Sequence, residues 1–181
     1  MRTTLSLLLV LMATIQAEAQ QLDIDNIRDQ FFAMDKTAGG AQKLYQVLAK
    51  ADLTKDPVLL AYRGAASAAS AGSVSGVKSK LQYFNHGKSE LEKAVSIKPL
   101  DAEIRFLRLA TQLNAPGFLG YTGEIKNDKA IIFTTLKSVV ANHPNAYLYL
   151  RICRFLLTYA DLSENEKTTV NQLINKFTSL K

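Results

Sequence analysis

The sequence predicts an all-α protein of about eight helices, arranged as stacked antiparallel hairpins. Three observations carry that prediction. Apolar residues recur at helical spacing along the chain. No alternating apolar–polar run bounded by hairpin turns occurs beyond residue 20. Pro57, Pro99 and Pro144 stand 42 and 45 residues apart, each after the end of one helical run and before the next. A period of that size belongs to repeated helix pairs rather than to a four-helix bundle. With 48% hydrophobic and 21% charged residues in 181, the chain has the composition of one packed domain and not of a disordered segment.

Residues 1–19 read as a secretory signal peptide. Met1-Arg2 is a minimal positive start, Leu5 to Ile15 is apolar, and Ala17-Glu18-Ala19 fits a small-x-small cleavage site. An apolar run of about eleven residues is too short for a bilayer, which takes roughly 20. Cleavage after Ala19 leaves 20–181 as a single helical domain. No cysteine sits at the cleavage point to carry a lipid anchor, so a periplasmic or secreted destination is expected. The leader takes with it one arginine and one glutamate, so the net charge stays +6. That excess slightly favours acidic partners, but no Lys/Arg run concentrates it, and nucleic acid is not an expected partner. Cys153 is the only cysteine, so no internal disulfide can form. Inside the apolar run 150–157 it reads as a buried small hydrophobe rather than a nucleophile.

The helices follow in order. Leu22, Ile24, Ile27, Phe31 and Phe32 mark a first, ending before Gly39-Gly40, and Leu44, Tyr45, Val47 and Leu48 a second, from about Ala41 to Ala51. Asp56-Pro57 supplies an N-cap and a first-turn proline for a third, alanine-rich helix running to about Ala71. The segment Gly72 to Gly76 breaks it. The fourth, from about Lys78 to Ile97, presents Leu81, Phe84, Leu91, Ala94 and Val95 on one broad face. Gly87 in its middle costs about 1 kcal/mol relative to Ala, which is tolerable where a neighbouring helix crosses. A fifth helix spans Ala102 to Leu113, a sixth about Glu124 to Asn142, and a seventh about Ala146 to Tyr159. The eighth opens on the capping box Ser163-Glu-Asn-Glu166 and carries the stripe Val170, Leu173, Ile174, Phe177 and Leu180, as a terminal capping helix should.

Gly87, Leu91, Ala94 and Pro99, ending in KAVSIKP, resemble the second half of a tetratricopeptide repeat. The resemblance covers about fifteen residues. Residues 71–80 lack that repeat's first-helix pattern, and the 42–45 residue period exceeds its usual length of about 34. What it implies is a tetratricopeptide-like right-handed solenoid of helix hairpins. The leader together with AYRGAA, EIRFLRLATQ and PGFLGYTGEIKNDKAII is similar to small exported proteins of Bacteroidota. That second resemblance implies a family and no activity.

The arginines are the most informative side chains. Ile104-Arg-Phe-Leu-Arg-Leu109 matches Leu150-Arg-Ile-Cys-Arg-Phe155, the first Arg falling six or seven residues after its proline, and Arg63 lies six after Pro57. Positions i and i+3 share a helix face, so Arg105 projects with Arg108 and Arg151 with Arg154. If the hairpins stack, the five form a row whose guanidinium forks can grip carboxylates of a protein segment or an acidic ligand. Alternatively they pair internally with Glu90, Glu103, Glu124 or Asp128, and their stems cover apolar surface.

The glycine-rich loop from Ala115 to Gly123 carries Phe118, Leu119 and Tyr121, apolar enough to be expected either as a plug in a seam between hairpins or as a lip over the arginine row. It lacks the Gly-Lys-Ser/Thr of a phosphate loop. Gly72-Ser-Val-Ser-Gly76 has Val74 where a nucleophile elbow needs serine. His86 and His143 have no ligand-spaced partner, so neither a metal site nor a cofactor is expected; His143 is expected at a helix C-terminus. Paired carboxylates such as Glu90/Glu92 and Glu164/Glu166 read as solvated helix surface. The expectation is an exported interaction module without catalytic residues, binding a protein or peptide partner through Arg63, Arg105, Arg108, Arg151, Arg154, Phe118 and Tyr121. A structural envelope protein with internal Arg–carboxylate pairs is the alternative, ahead of an envelope enzyme.

Overall fold

The computed structural model describes residues 22–179. The predicted leader, with its cleavage site, and Leu180 of the final stripe lie outside them. Eight α-helices follow in chain order: α1 (Ile24–Ala33), α2 (Gly40–Ala49), α3 (Pro57–Ser70), α4 (Val77–Ile97), α5 (Ala102–Asn114), α6 (Ile125–Ser138), α7 (Ala146–Tyr159) and α8 (Glu164–Thr178), with 3-10 turns at Met34–Lys36 and Gly117–Leu119. The described residues contain no strand, so the fold is all-α.

Local chemistry sets most helix starts. Asp56 accepts from the backbone N–H groups of Val58 and Leu59, with Pro57 behind it in the first turn. Asp101 does the same for Glu103 and Ile104. Ser163 and Glu166 complete the reciprocal capping box of α8. Each such cap is worth about 1 kcal/mol. The sixth helix ends earlier than expected. Val139 leaves it in an extended conformation, φ −73° and ψ 147°, and packs half-buried against the core. His143 is therefore not at a helix C-terminus: its Nδ1 accepts from the Asn145 N–H at 3.0 Å, and its ring lies against Tyr149.

The packing is pairwise. α3 lies against α4, α5 against α6, and α7 against α8, while α3 also meets α2 and α5. The closest approach is at Gly64 and Gly87. A Cβ added to Gly87 would stand 2.3 Å from the Gly64 carbonyl oxygen and 2.6 Å from the Ala68 nitrogen. Backbone meets backbone there, so Gly87 is required by the crossing and its cost in helix propensity is offset.

α1 does not complete a simple hairpin with α2. It lies across the first helices of the other three pairs. Phe31 meets Tyr62 of α3 and Phe106 of α5 edge-on, at centroid distances of 5.4 and 6.1 Å. Phe32 stacks on Phe106 and carries the Arg151 guanidinium of α7 over its ring at 4.0 Å. Phe106 continues to Phe155 of α7. One aromatic seam thus ties α1 to α3, α5 and α7, and Leu44, Leu48, Leu91, Leu107, Leu136, Ile152 and Leu156 fill the core around it without solvent exposure.

Candidate functional site

All six arginines of the described chain sit on α1, α3, α5 and α7, and no lysine does. These four helices also share the aromatic seam, so the guanidinium groups enter the same interfaces as the core. There they meet carboxylates from the opposing helices.

The densest cluster joins α5 and α6. Arg105 and Arg108 are 6% and 3% exposed, and Asp128, which both reach, is 0% exposed. Arg105 donates from Nη1 to Asp128 Oδ1 at 2.9 Å and from Nε to the Pro99 carbonyl at 2.7 Å. Arg108 donates from Nε to Asp128 Oδ2 and from Nη2 to Oδ1, at 2.9 and 2.7 Å, a bidentate fork. Its Nη1 reaches Glu92 at 2.7 Å, its Nη2 lies 3.4 Å from Glu124, and Gln112 Nε2 also donates to Asp128. Burial works against the charge on Arg108, but the hydrogen bonds and field of Asp128 outweigh it and hold its pKa above the usual value. The Tyr121 hydroxyl donates to Glu92 at 2.7 Å; burial, then that carboxylate, pushes its phenol upward.

A second cluster was not foreseen as a unit. Arg28 of α1 forks onto Glu103 of α5, Nε to Oε1 at 2.8 Å and Nη2 to Oε2 at 2.7 Å. The buried Tyr62 hydroxyl donates to the same Oε1 at 2.8 Å. Hydrogen bonding to Glu103 raises the Arg28 pKa above its usual value, and burial pushes the Tyr62 phenol well up. Arg63 is half-buried and engaged too, donating twice to Glu90 Oε1, at 2.9 and 2.6 Å, and to the Ala51 carbonyl.

The expected open row of five therefore does not exist as one surface. Arg63, Arg105 and Arg108 turn inward onto carboxylates, because each faces an acid on the next packed helix. Glu90 and Glu92, expected as solvated surface, are among those acids. Arg151 and Arg154 remain at the surface. Arg151 pairs with the exposed Asp29 of α1 and lies between Phe32 and Tyr147. Arg154 is exposed and joins no ion pair among the described residues. A cleft of about 240 Å³ opens where α1 meets α7, lined by Asp25, Arg28, Asp29, Tyr147, Leu148 and Arg151. Tyr147 and Tyr159 stand exposed on the same helix.

The two aromatic residues of the glycine loop part company. Tyr121 is buried against Phe84, edge-on at 5.8 Å, and plugs the seam as expected. Phe118 points to solvent. Cys153 is buried, and its thiol is pushed up to about 12 by desolvation, which keeps it protonated. Among the described residues no group of three or more His, Cys, Asp or Glu is placed to hold a metal ion, and no helix is long and apolar enough to cross a membrane.

Sequence reasoning missed Arg28, Asp29 and Tyr62 because their partners lie far along the chain. One signal was readable. The two arginine pairs are 46 residues apart, and the positions 46 beyond Asp128, Glu124 and Gln112 are Ile174, Val170 and Thr158. The second pair has no acid waiting for it in its own hairpin.

No protein-family model, curated protein or solved structure matches the chain significantly.

Proposed function

We propose that this protein is an exported, tetratricopeptide-like interaction module that binds an acidic protein segment noncovalently through the face where α1 meets α7. The observation that carries the reading is the pair Arg151 and Arg154, the members of the predicted row left at the surface, flanked by exposed Tyr147 and Tyr159. Arginine and tyrosine are the residues that anchor protein interfaces most often, since both combine apolar contact with directional hydrogen bonding. The ion pair Arg151–Asp29 is shallow on its Asp29 side, so an incoming carboxylate can compete for the guanidinium without breaking the core. The leader-like first nineteen residues support an extracytoplasmic setting.

Acidic helical peptides titrated against the full chain test this. Binding is expected to weaken about tenfold or more in Arg151→Ala/Arg154→Ala, with the circular dichroism unchanged, since charge-assisted hydrogen bonds at an interface are worth about 1.5–3 kcal/mol. Equal affinity for the parent and the double variant refutes the proposal.

A second reading rests on the Arg105–Arg108–Asp128 network. So much charge committed internally suits a structural envelope protein whose arginines fix how the helices pack. It expects the α7 substitutions to change no binding at all.

A further inference from the structure

Of the eight phenylalanines, seven are buried or half-buried, and Phe118 is 85% exposed. The turn that displays it is well built. The Leu119 N–H donates to the Pro116 carbonyl at 3.0 Å and the Gly120 N–H to that of Gly117 at 3.1 Å. Gly120 reverses the chain at φ +60°, a conformation that favours glycine. Beneath the tip, Leu119 and Ala115 pack half-buried against Ala68, Phe84 and Tyr121, and the Tyr121 hydroxyl is tied to Glu92. The loop is anchored on its inner side and holds one large apolar ring outward.

The charge around the tip has a sign. Lys88 Nζ lies 5.0 Å from the centroid of the Tyr121 ring, and Lys126 is exposed in the first turn of α6. Neither joins a salt bridge among the described residues, whereas Lys129 and Lys167 do. The nearby carboxylates, Glu92 and Glu124, are both engaged by Arg108. What remains uncompensated near Phe118 is cationic, and it is lysine.

We propose that this loop docks the protein on an anionic lipid surface, with Phe118 entering the headgroup–acyl boundary and Lys88 and Lys126 facing the headgroups. A bilayer fits these features better than a protein pocket does. A lone convex ring needs a soft apolar layer rather than a preformed cavity. Lysines are mobile, hydrated point charges suited to a diffuse negative potential, while the planar, directional guanidinium groups here are used elsewhere. This docking surface is separate from the α1–α7 face and does not depend on it.

The chain contains no tryptophan, so Phe118→Trp places a single fluorescent reporter at the tip, where exposure makes the exchange structurally mild. With vesicles of phosphatidylcholine containing phosphatidylglycerol, its emission is expected to shift to the blue and to be quenched by brominated acyl chains. With phosphatidylcholine alone it should stay at the water-exposed position. Adding Lys88→Glu and Lys126→Glu is expected to weaken the vesicle titration by about tenfold or more. Because the signal comes from residue 118, membrane contact by another part of the chain does not produce it. An emission that ignores both vesicle types overturns the proposal. So does an equal shift with neutral and anionic vesicles, or a titration indifferent to the lysine reversals.

Discussion

Two arginine pairs with the same sequence pattern meet opposite fates. Arg105 and Arg108 on α5 are buried around Asp128, which receives four hydrogen bonds from Arg105, Arg108 and Gln112. Arg151 and Arg154 on α7 sit at the surface, one pairing with an exposed aspartate and the other free of ion pairs among the described residues. Nothing within the six-residue pattern distinguishes them. The difference lies in the second helix of each hairpin: α6 brings Asp128 to the α5 pair, whereas α8 carries Ile174 and Val170 at the corresponding positions, packed in or against the core. An arginine pair is thus turned inward by the helix that follows it. Where that helix is apolar, the pair is left for α1, or for a partner.

The sharpest way to break this comparison is to remove the acid. Asp128→Ala leaves two buried guanidinium groups facing an empty space, and losing one partner of a buried pair costs about 3–5 kcal/mol. Against a total stability of about 5–15 kcal/mol, denaturant melts should show a midpoint drop that approaches unfolding. Asp29→Ala, the matching change at the α7 pair, should cost less than about 1 kcal/mol. Similar losses from the two variants end the contrast.

Glu103 comes next in size. It anchors α1 through Arg28 and holds the Tyr62 hydroxyl, so Glu103→Ala leaves both donors without their acceptor. A loss of about 2–3 kcal/mol is expected, with hydrogen exchange increasing in α1 first. If exchange rises evenly over the molecule, α1 is not the element that this cluster secures.

How far these relations could be read from the sequence depends on their range. Helix starts were legible because a cap acts within three or four residues: Asp56-Pro57, Asp101 and Ser163 through Glu166 each mark a start where one stands. Gly87 announced a helix crossing, and Gly64 supplies it. The α1 seam was not legible, since Arg28 and Glu103 are 75 residues apart and only the stacking of α3, α5 and α7 brings them together. For the arginines the sequence offered two readings and a usable hint in the exchange of Asp128 for Ile174. Phe118 was read with Tyr121 as an inward residue. The 3-10 turn at Gly117–Leu119 sends Leu119 and Tyr121 to one side of the loop and Phe118 to the other.

A smaller effect separates the two clusters by pH. The Tyr62 phenol is held neutral by burial and by the charge of Glu103, so its folded pKa lies above the ordinary value of about 10. A raised pKa contributes stability that is fully present below the unfolded value and is lost as pH rises through the folded one. Tyr62→Phe is expected to cost about 1.5 kcal/mol at neutral pH, for the lost hydrogen bond to a carboxylate, and to flatten the decline in stability above about pH 10. Tyr121, raised in the same direction beside Glu92, contributes its own part of that decline. Tyr121→Phe should flatten the slope independently, because the two phenols answer to different carboxylates.

The smallest stability effect belongs to the surface pair. Arg154→Ala should change stability by no more than about 0.5 kcal/mol, and adding Arg151→Ala should bring the loss to about 1 kcal/mol, for its contact with the Phe32 ring and its ion pair with Asp29. This is the substitution for which stability and function should diverge most. At the α5 pair, removing charge weakens the fold; at the α7 pair, it should leave the fold standing and take away the cationic face that binds. A thermal melt and a peptide titration on the same double variant separate the two cases. A melt lowered as far as that of Asp128→Ala would make the α7 pair as structural as its counterpart, and α1 would then be the missing acid-bearing helix of a third internal network.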